Sequence, residues 1–339
     1  MKKKVVLGVD VGGTTTKLGL VDSAGSILAE SSIPTPANTS GVSAADFVKQ
    51  LCEAAFVLQH QPNEMFEVVG VGAGAPNANY NKGAIEFAVN LPWPHEVVPF
   101  AELIQAYFPR LPIKVTNDAN AAAIGEKVYG GAKNMNDFIV ITLGTGFGSG
   151  IVAGGKLVYG CDGFAGEIGH IIMIPDGRHC GCGRAGCLET YVSATGLKQT
   201  AFEVMSRRYF SGKSLLKAIS FNEITPKYIA DAARQGDSMA LEVFERTGEM
   251  LGLALANTVA FSSPEAIFLY GGLANAGDLL LNPTRKSMNK NMLKNYCKRD
   301  DNGQILQEAN TQLLLSNLCN KNGAVLGAAA LVWHEQGTI

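Results

Sequence analysis

The sequence predicts an α/β protein built from two related domains. Three observations carry this prediction. At 339 residues the chain exceeds what one small hydrophobic core organises. Short apolar runs ending in glycine clusters alternate with stretches of helical period, the pattern of strands feeding turns and helices. The opening pattern also returns about 130 residues later: Gly12 set over Gly144 aligns strand, Gly/Thr-rich hairpin, strand, Gly turn and strand in both copies. Each domain is expected to present one such hairpin toward a shared cleft.

The elements follow in order. Val5 to Val9 is an apolar run ending in Asp10-Val11-Gly12-Gly13-Thr14-Thr15-Thr16, with a second run at Leu18 to Val21 and a turn at Asp22-Ser23-Ala24-Gly25, which together open a β-meander. Ser31 to Gly41 reads as a small-polar loop. Ser43 and Asp46 make a capping-box-like start, and Phe47, Leu51, Ala54, Ala55 and Leu58 set an amphipathic helix over 43–59. Val68 to Gly74 and Ile113 to Thr116 read as buried strands, the second running into Asn117-Asp118 and an alanine-rich helix that begins at Asp118. Phe138 to Leu143 and Ile151 to Ala153 flank the second hairpin, and Gly154-Gly155 turns the chain again. Helices are expected over Ser193 to Tyr209, Pro226 to Arg234 and Ser238 to Ala260. A strand at Ala266 to Tyr270 ends in Gly271-Gly272, and Gly323 to Trp333 closes with a helix of small residues.

Bulk properties exclude several classes. A net charge of −2 supplies no basic field for nucleic acid or anionic membrane. The apolar run after the three N-terminal lysines is too short for a signal peptide, and no run approaches a membrane span, so a cytoplasmic protein is expected. Seven cysteines, four of them scattered (Cys52, Cys161, Cys297, Cys319), do not make a disulfide framework.

The remaining three form the sharpest signal. Over Glu167 to Glu189, His170, Cys180, Cys182 and Cys187 follow the pattern H-x9-C-x-C-x4-C. Three thiols and one imidazole this close suit a tetrahedral Zn²⁺, and four N and S ligands describe a closed, structural site. His179 competes as a ligand, but its adjacency to Cys180 strains chelation. Glu167 and Glu189 bracket the cluster, where rigid carboxylates suit neutral hydroxyls such as a sugar's. Asp10 with Gly12, Gly13, Thr14 and Thr15, opposite Gly144, Thr145 and Gly146, supplies amides, hydroxyls and one carboxylate for a polyphosphate and its Mg²⁺. No Walker A sequence is present. Asn117-Asp118 stands where a strand ends and a helix begins, so Asp118 reads either as a helix cap or as a base that takes a proton from an attacking hydroxyl. Gly271-Gly272 follows a buried strand and suits the adenosine and phosphates of a nucleotide.

With these residues in place, the chain resembles the ROK family of sugar kinases and repressors over about Val5 to Leu331. Asp10-Val11-Gly12-Gly13-Thr14 resembles the family's phosphate motif and Asn117-Asp118-Ala119-Asn120 its catalytic motif. Gly166-Glu167-Ile168-Gly169-His170, with Cys180 through Glu189, resembles its zinc and sugar signature. The resemblance implies an actin-like, ribonuclease-H-like ATPase fold of two lobes around a cleft, the small lobe from 1–118 plus 322–339 and the large lobe from 119–321. It implies Asp118 as general base and Asp10 near Mg·ATP. Asn90, Asn117, Glu167, His170 and Glu189 would meet sugar hydroxyls, with His170 also on zinc. Homodimers or homotetramers are common in the family. One departure stands out: many members read G-x-G-x-P-G where this chain has Gly72-Ala73-Gly74-Ala75-Pro76-Asn77.

The expected function is ATP-dependent phosphorylation of a hexose, glucose first, to the sugar 6-phosphate. A ROK kinase for N-acetylmannosamine, N-acetylglucosamine, allose or fructose is the alternative. A sugar-responsive repressor is disfavoured, because the first strand follows Met1 almost directly and leaves no room for a helix-turn-helix.

Overall fold

The computed structural model describes residues 2–37, 39–60, 66–208, 213–300, 305–307, 309–318 and 322–335. Tyr209 and Cys319 therefore lie outside the described residues. In chain order the strands are β1 (Lys3–Val11), β2 (Thr15–Val21), β3 (Ile27–Pro34), β4 (Phe66–Gly74), β5 (Ala78–Asn79), β6 (Ala84–Glu86), β7 (Val97–Val98), β8 (Ile113–Thr116), β9 (Phe138–Leu143), β10 (Phe147–Ala153), β11 (Lys156–Leu157), β12 (Ala266–Tyr270), β13 (Lys298–Arg299), β14 (Ile305–Gln307) and β15 (Gln312–Leu315). The helices are α1 (Ala44–Gln59), α2 (Phe100–Gln105), α3 (Asp118–Val128), α4 (Glu189–Val192), α5 (Ala194–Arg207), α6 (Pro226–Arg234), α7 (Ser238–Ser262), α8 (Asp278–Asn291) and α9 (Gly323–Glu335).

The expected duplication is present as topology. One sheet runs β3-β2-β1-β4-β8 and the other β11-β10-β9-β12-β15. In the first, β1, β2 and β3 are antiparallel neighbours, and β4 and β8 add in parallel. In the second, β10 and β11 form the antiparallel arm, and β12 adds in parallel to both β9 and β15. Parallel strands need long crossovers, which is why helices separate β4 from β8 and β9 from β12.

By internal contact the chain forms two compact units, one of residues 1–136, 150–166 and 316–339, the other of 137–149 and 167–315. The boundary expected after Asp118 falls at the head of α3, and α3 itself belongs to the first unit. Contact with α9 holds it there: an added Cβ at Gly125 would lie 3.1 Å from the Gly327 Cα, so glycine on each helix allows the backbones to meet. α9 is pressed equally hard on the sheet, since a Cβ on Gly8 or Gly72 would overlap the carbonyls of Val325 or Ala328. On the other face, α1 buries Phe47, Val48, Leu51, Cys52, Ala55 and Leu58 in a core shared with β1, β2 and β4. Ser43 caps α1 by accepting the Asp46 N–H at 3.1 Å, as the sequence predicts.

Two expectations need correction. Ser31 to Pro34 belong to β3 rather than a loop, because they pair with Thr15 to Leu18 of β2; a polar edge strand lacks the apolar run that marks buried ones. Asp118 is not the cap of α3. Asn117 is, its Oδ1 accepting from the N–H groups of Ala119 (2.8 Å) and Asn120 (3.4 Å). In the second unit, α8 over 278–291 is an element without a sequence expectation, for Pro283 sits inside it; α7 receives it closely through Gly248 and Gly252.

Candidate functional site

In the first unit the site is built at the carboxyl ends of the parallel strands. Lys17, Asp10, Gly74 and Thr116 form one row across β2, β1, β4 and β8. Side chains in a row share a face of the sheet, and this is the face on which α3 and α9 pack. Gly74 leaves a gap in the row. An added Cβ there would lie 3.2 Å from the Ala121 Cβ and 3.6 Å from the Asp118 Cα, so the head of α3 settles against the sheet beside Asp10.

Both acids are raised, chiefly by burial. Burial first, and then the Asp118 charge, lift the Asp10 pKa from 3.8 to about 6, with Lys17 pulling the other way. Solvent reaches one side of Asp118, yet the protein packed around it makes charging unfavourable, and its pKa is raised despite the N–H of Ala119 on its Oδ1 at 2.9 Å. A carboxyl whose folded pKa is raised opposes folding wherever it is ionised. The penalty is absent below pH 3.8 and full above about 6. Asp10→Asn is therefore expected to stabilise the ligand-free protein at pH 8 by about 1–2 kcal/mol, discounted for partial solvent access, and not at pH 4. Thermal melts at the two pH values test this; equal shifts at both would refute it.

The Gly12-Gly13 turn is closed from within. Gly12 donates its N–H to the Thr15 carbonyl at 3.2 Å, and the Thr35 hydroxyl donates to the Gly12 carbonyl at 2.7 Å. The Gly12 amide is thus engaged in the turn and not offered to a ligand, contrary to a simple amide-cradle reading. Gly13, Thr14 and Thr15 are exposed at its tip. Asn90 comes to this turn: its carbonyl lies 3.1 Å from where a Gly13 Cβ would stand, and its side chain is exposed.

In the second unit, the ligand atoms of His170, Cys180, Cys182 and Cys187 all lie within 4.8 Å of one another. His170 Nδ1 is 3.6 Å from Cys180 Sγ, and Cys182 Sγ is 3.6 Å from Cys187 Sγ. Three sulfurs and one imidazole nitrogen at this spacing fit Zn²⁺ with no open position. His179, the competing candidate, is exposed and is not among the residues whose ligand atoms cluster. Burial pushes the Cys180 thiol up to about 12, whereas at Cys182 hydrogen bonds from Arg184 and the neighbouring thiols overcome burial and bring it to about 6. Cys182 is then the first thiolate offered to a metal. Arg184 also donates to the His170 carbonyl at 2.9 Å.

Both glutamates attach to this cluster. Glu167 Oε2 is 3.8 Å from His170 Nε2, the nitrogen that faces away from the thiols. Glu189 begins α4; its Oε1 lies 3.7 Å from Cys180 Sγ, and its Oε2 accepts the Phe147 N–H at 2.8 Å. Glu189 therefore joins the cysteine loop to the Gly144-Thr145-Gly146 hairpin. A Cβ on Gly146 would meet Glu189 Oε2 at 2.7 Å, while one on Gly144 would meet nothing within 4 Å. Gly144 is held through its carbonyl by the Ala194 N–H (2.9 Å), and the Thr145 carbonyl by the Thr195 hydroxyl (3.1 Å).

Gly271 has φ 105°, and a Cβ there would lie 2.6 Å from the Leu143 carbonyl, so only glycine lets β12 end against β9. Gly272 stands in open space beside a recess of about 310 Å³ lined by Lys227, Asp231, Arg234 and Asn275. Sequence reasoning singled out none of these charged side chains; Lys227 and Arg234 both pair with Asp231, as on an ordinary solvated helix face. Lys17 was missed for a similar reason, since only strand register places it beside Asp10.

A doubled meander-plus-parallel sheet, with paired acids in one copy and a closed Cys3His cluster in the other, defines a two-unit α/β protein of the actin-like, ribonuclease-H-like ATPase class. The chain belongs to the ROK family, whose match spans residues 6–335. It is 39% identical to the glucokinase of Streptomyces coelicolor over 289 residues, covering 84% of this chain and 86% of that protein. It resembles the crystal structure of a ROK family glucokinase from Streptomyces griseus in complex with glucose and AMPPNP, with a TM-score of 0.78 and 34% identity over 97% of this chain and 99% of that one. It is also 31% identical over 270 residues to the xylose repressor of Caldicellulosiruptor bescii, covering 78% of this chain and 62% of that protein. No helix among the described residues is long and apolar enough to cross a membrane.

Proposed function

We propose that this protein is an ATP-dependent hexose kinase that converts glucose to glucose 6-phosphate, with Asp118 as general base. The observation that carries the reading is the division of labour at the head of α3. Asn117 caps the helix, which leaves the Asp118 carboxylate beside Asp10, solvent-reachable and raised in pKa. A base whose pKa lies closer to neutrality abstracts a proton more effectively than an ordinary carboxylate.

In the proposed reaction Asp118 accepts the proton of the sugar 6-hydroxyl. The bond from that oxygen to the γ-phosphorus forms as the bond from phosphorus to the ADP oxygen breaks. Asp10 is the carboxylate placed to hold the Mg²⁺ of Mg·ATP, which would neutralise charge on the phosphates. In the first unit Thr14 and Thr15 offer hydroxyls to phosphates; in the second, the Gly144-Gly146 hairpin offers amides to phosphates and the recess beside Gly272 offers room for an adenosine. The Asn117 amide NH2, its oxygen being engaged in the cap, donates to a sugar oxygen. Glu167 and Glu189 accept from sugar hydroxyls, His170 presents Nε2, and Asn90 completes the set. His170 and the three thiols would hold a Zn²⁺ that, when bound, would fix the loop carrying these groups without offering a reacting ligand.

The Asn77 departure does not weaken this reading. Asn77 has φ 52°, the left-handed region usual for glycine and best tolerated otherwise by asparagine, and its amide donates to the Phe87 carbonyl at 3.3 Å. The turn is therefore kept. Initial rates with Mg·ATP across glucose, fructose, allose, mannose and the N-acetylhexosamines test the proposal. A preference for glucose in kcat/KM is expected. Preference for an N-acetylated sugar would replace the substrate while keeping the mechanism, and no turnover with any sugar would overturn the kinase reading in favour of the repressor-like one.

A further inference from the structure

Arg178 lies in the cysteine loop, two residues before Cys180, and no step above uses it. Its side chain is only 8% exposed. All five guanidinium N–H donors have an acceptor within reach. Nε (2.9 Å) and one NH2 hydrogen (2.8 Å) go to Glu203 Oε1 on α5. The two NH1 hydrogens go to the carbonyls of Thr190 (2.6 Å) and Gly196 (3.1 Å). The remaining NH2 hydrogen reaches the Thr200 hydroxyl at 2.9 Å. The guanidinium also lies 4.6 Å from the centroid of the Tyr191 ring, and the Tyr191 hydroxyl accepts the Arg178 backbone N–H at 3.0 Å.

These partners are not scattered. Thr190 and Tyr191 belong to α4, the single turn that Glu189 begins, and Gly196, Thr200 and Glu203 belong to α5. A four-residue helix has no stability of its own, so its orientation depends on what grips it. Arg178 grips α4 from the loop side, while the Phe147 N–H holds Glu189 from the hairpin side. The Arg178 carbonyl in turn accepts the Gly186 N–H at 2.8 Å, next to Cys187. One residue therefore connects both strands of the cysteine loop, through its backbone, to the helix that carries Glu189, through its side chain.

We propose that Arg178 is the positioning residue that sets the cysteine loop and Glu189 in register on α5, so that the metal ligands stand together before metal binds. It acts through other groups and touches neither metal nor substrate. Lysine cannot replace it, because one ammonium does not donate to two carbonyls, a hydroxyl and a carboxylate in a fixed plane. The part of the proposal that concerns Glu189 and sugar rests on the kinase reading; the part that concerns the metal loop does not.

The test compares full-length wild type with R178K. Three quantities are read: the rate of zinc transfer to a colorimetric chelator, amide hydrogen exchange over 171–187 in chelator-stripped protein, and steady-state kinetics with glucose. Loss of the Arg178 grip on the loop is expected to weaken zinc retention by about tenfold, the lower end of the range for groups that orient metal ligands. Exchange over 171–187 should rise in the stripped variant and stay slow in stripped wild type. KM for glucose should rise about tenfold with kcat within about twofold, as expected when binding groups shift and the base does not. Wild-type zinc release and wild-type loop exchange in folded R178K would overturn the proposal, whatever the kinetics. Should R178K not fold, E203Q decides: faster zinc release and loop exchange support the proposal, and wild-type values in both overturn it. If no sugar is turned over by wild type, the kinase reading fails while the zinc and exchange measurements still judge Arg178.

Discussion

Asp118→Asn is expected to reduce kcat by about 10²–10⁴-fold, the range for loss of a general base, while leaving the dissociation constant for sugar nearly unchanged. The substitution is close to isosteric. The Asn117 cap is a separate side chain, so α3 keeps its start, and the new amide oxygen can still accept the Ala119 N–H that Asp118 accepts at 2.9 Å. What disappears is the ability to hold a proton. Initial rates together with a calorimetric sugar titration separate the two effects. Equal loss of turnover and sugar affinity would show that Asp118 binds rather than abstracts, and the role assignment would fall. Because the raised pKa of Asp118 depends on the protein around it, the limb of the pH–rate profile that rises with pH should also disappear in the variant.

Cys182→Ser is the second large effect. A serine hydroxyl is not deprotonated near neutral pH and is a poor Zn²⁺ ligand, so the site would keep three donors of four. Zinc content is expected to fall from about one per chain to near zero after brief dialysis against a chelator. The loss should spread beyond the metal. Cys182 is the thiol that Arg184 holds low, and Arg184 in turn grips the His170 carbonyl, so His170 and Glu167 would lose their support together. A lower melting temperature and a raised KM for sugar should accompany the loss of metal. A zinc-free protein with wild-type stability and KM would refute the structural role. Elemental analysis, a thermal melt and steady-state rates on one preparation decide the matter.

Much of the site was legible because its signals are local. The cysteine spacing places four ligands within one short segment, and any chain path that closes that segment brings them together. The two hairpins were legible because glycine and threonine after an apolar run fix a strand ending whatever surrounds it. Helix α1 was legible because Ser43 and Asp46 cap a regular apolar stripe. The illegible parts depend on partners distant in sequence. β3 extends to Pro34 because β2 supplies its hydrogen bonds, not because Ser31 and Ser32 favour a strand. α3 stays with the first unit because Gly125 meets Gly327, about two hundred residues away. The expected amide cradle at Gly12 gave way to an internal turn bond to Thr15.

The sequence by itself determined the doubled sheet pattern, the Cys3His cluster that could hold a metal and the candidate acids Asp10 and Asp118, since each is written in periodicity, spacing or residue type over a few neighbouring positions. Only the tertiary structure decided what state those groups are in. Strand register placed Lys17 beside Asp10, which burial raises first and Asp118, settled at the Gly74 gap, raises further. Asn117 took the cap and left the Asp118 carboxylate available. Arg178 found four acceptors for its five N–H donors on α4 and α5. Each of these rests on burial and on hydrogen bonds between remote residues, and both are properties of packing that a linear pattern does not carry.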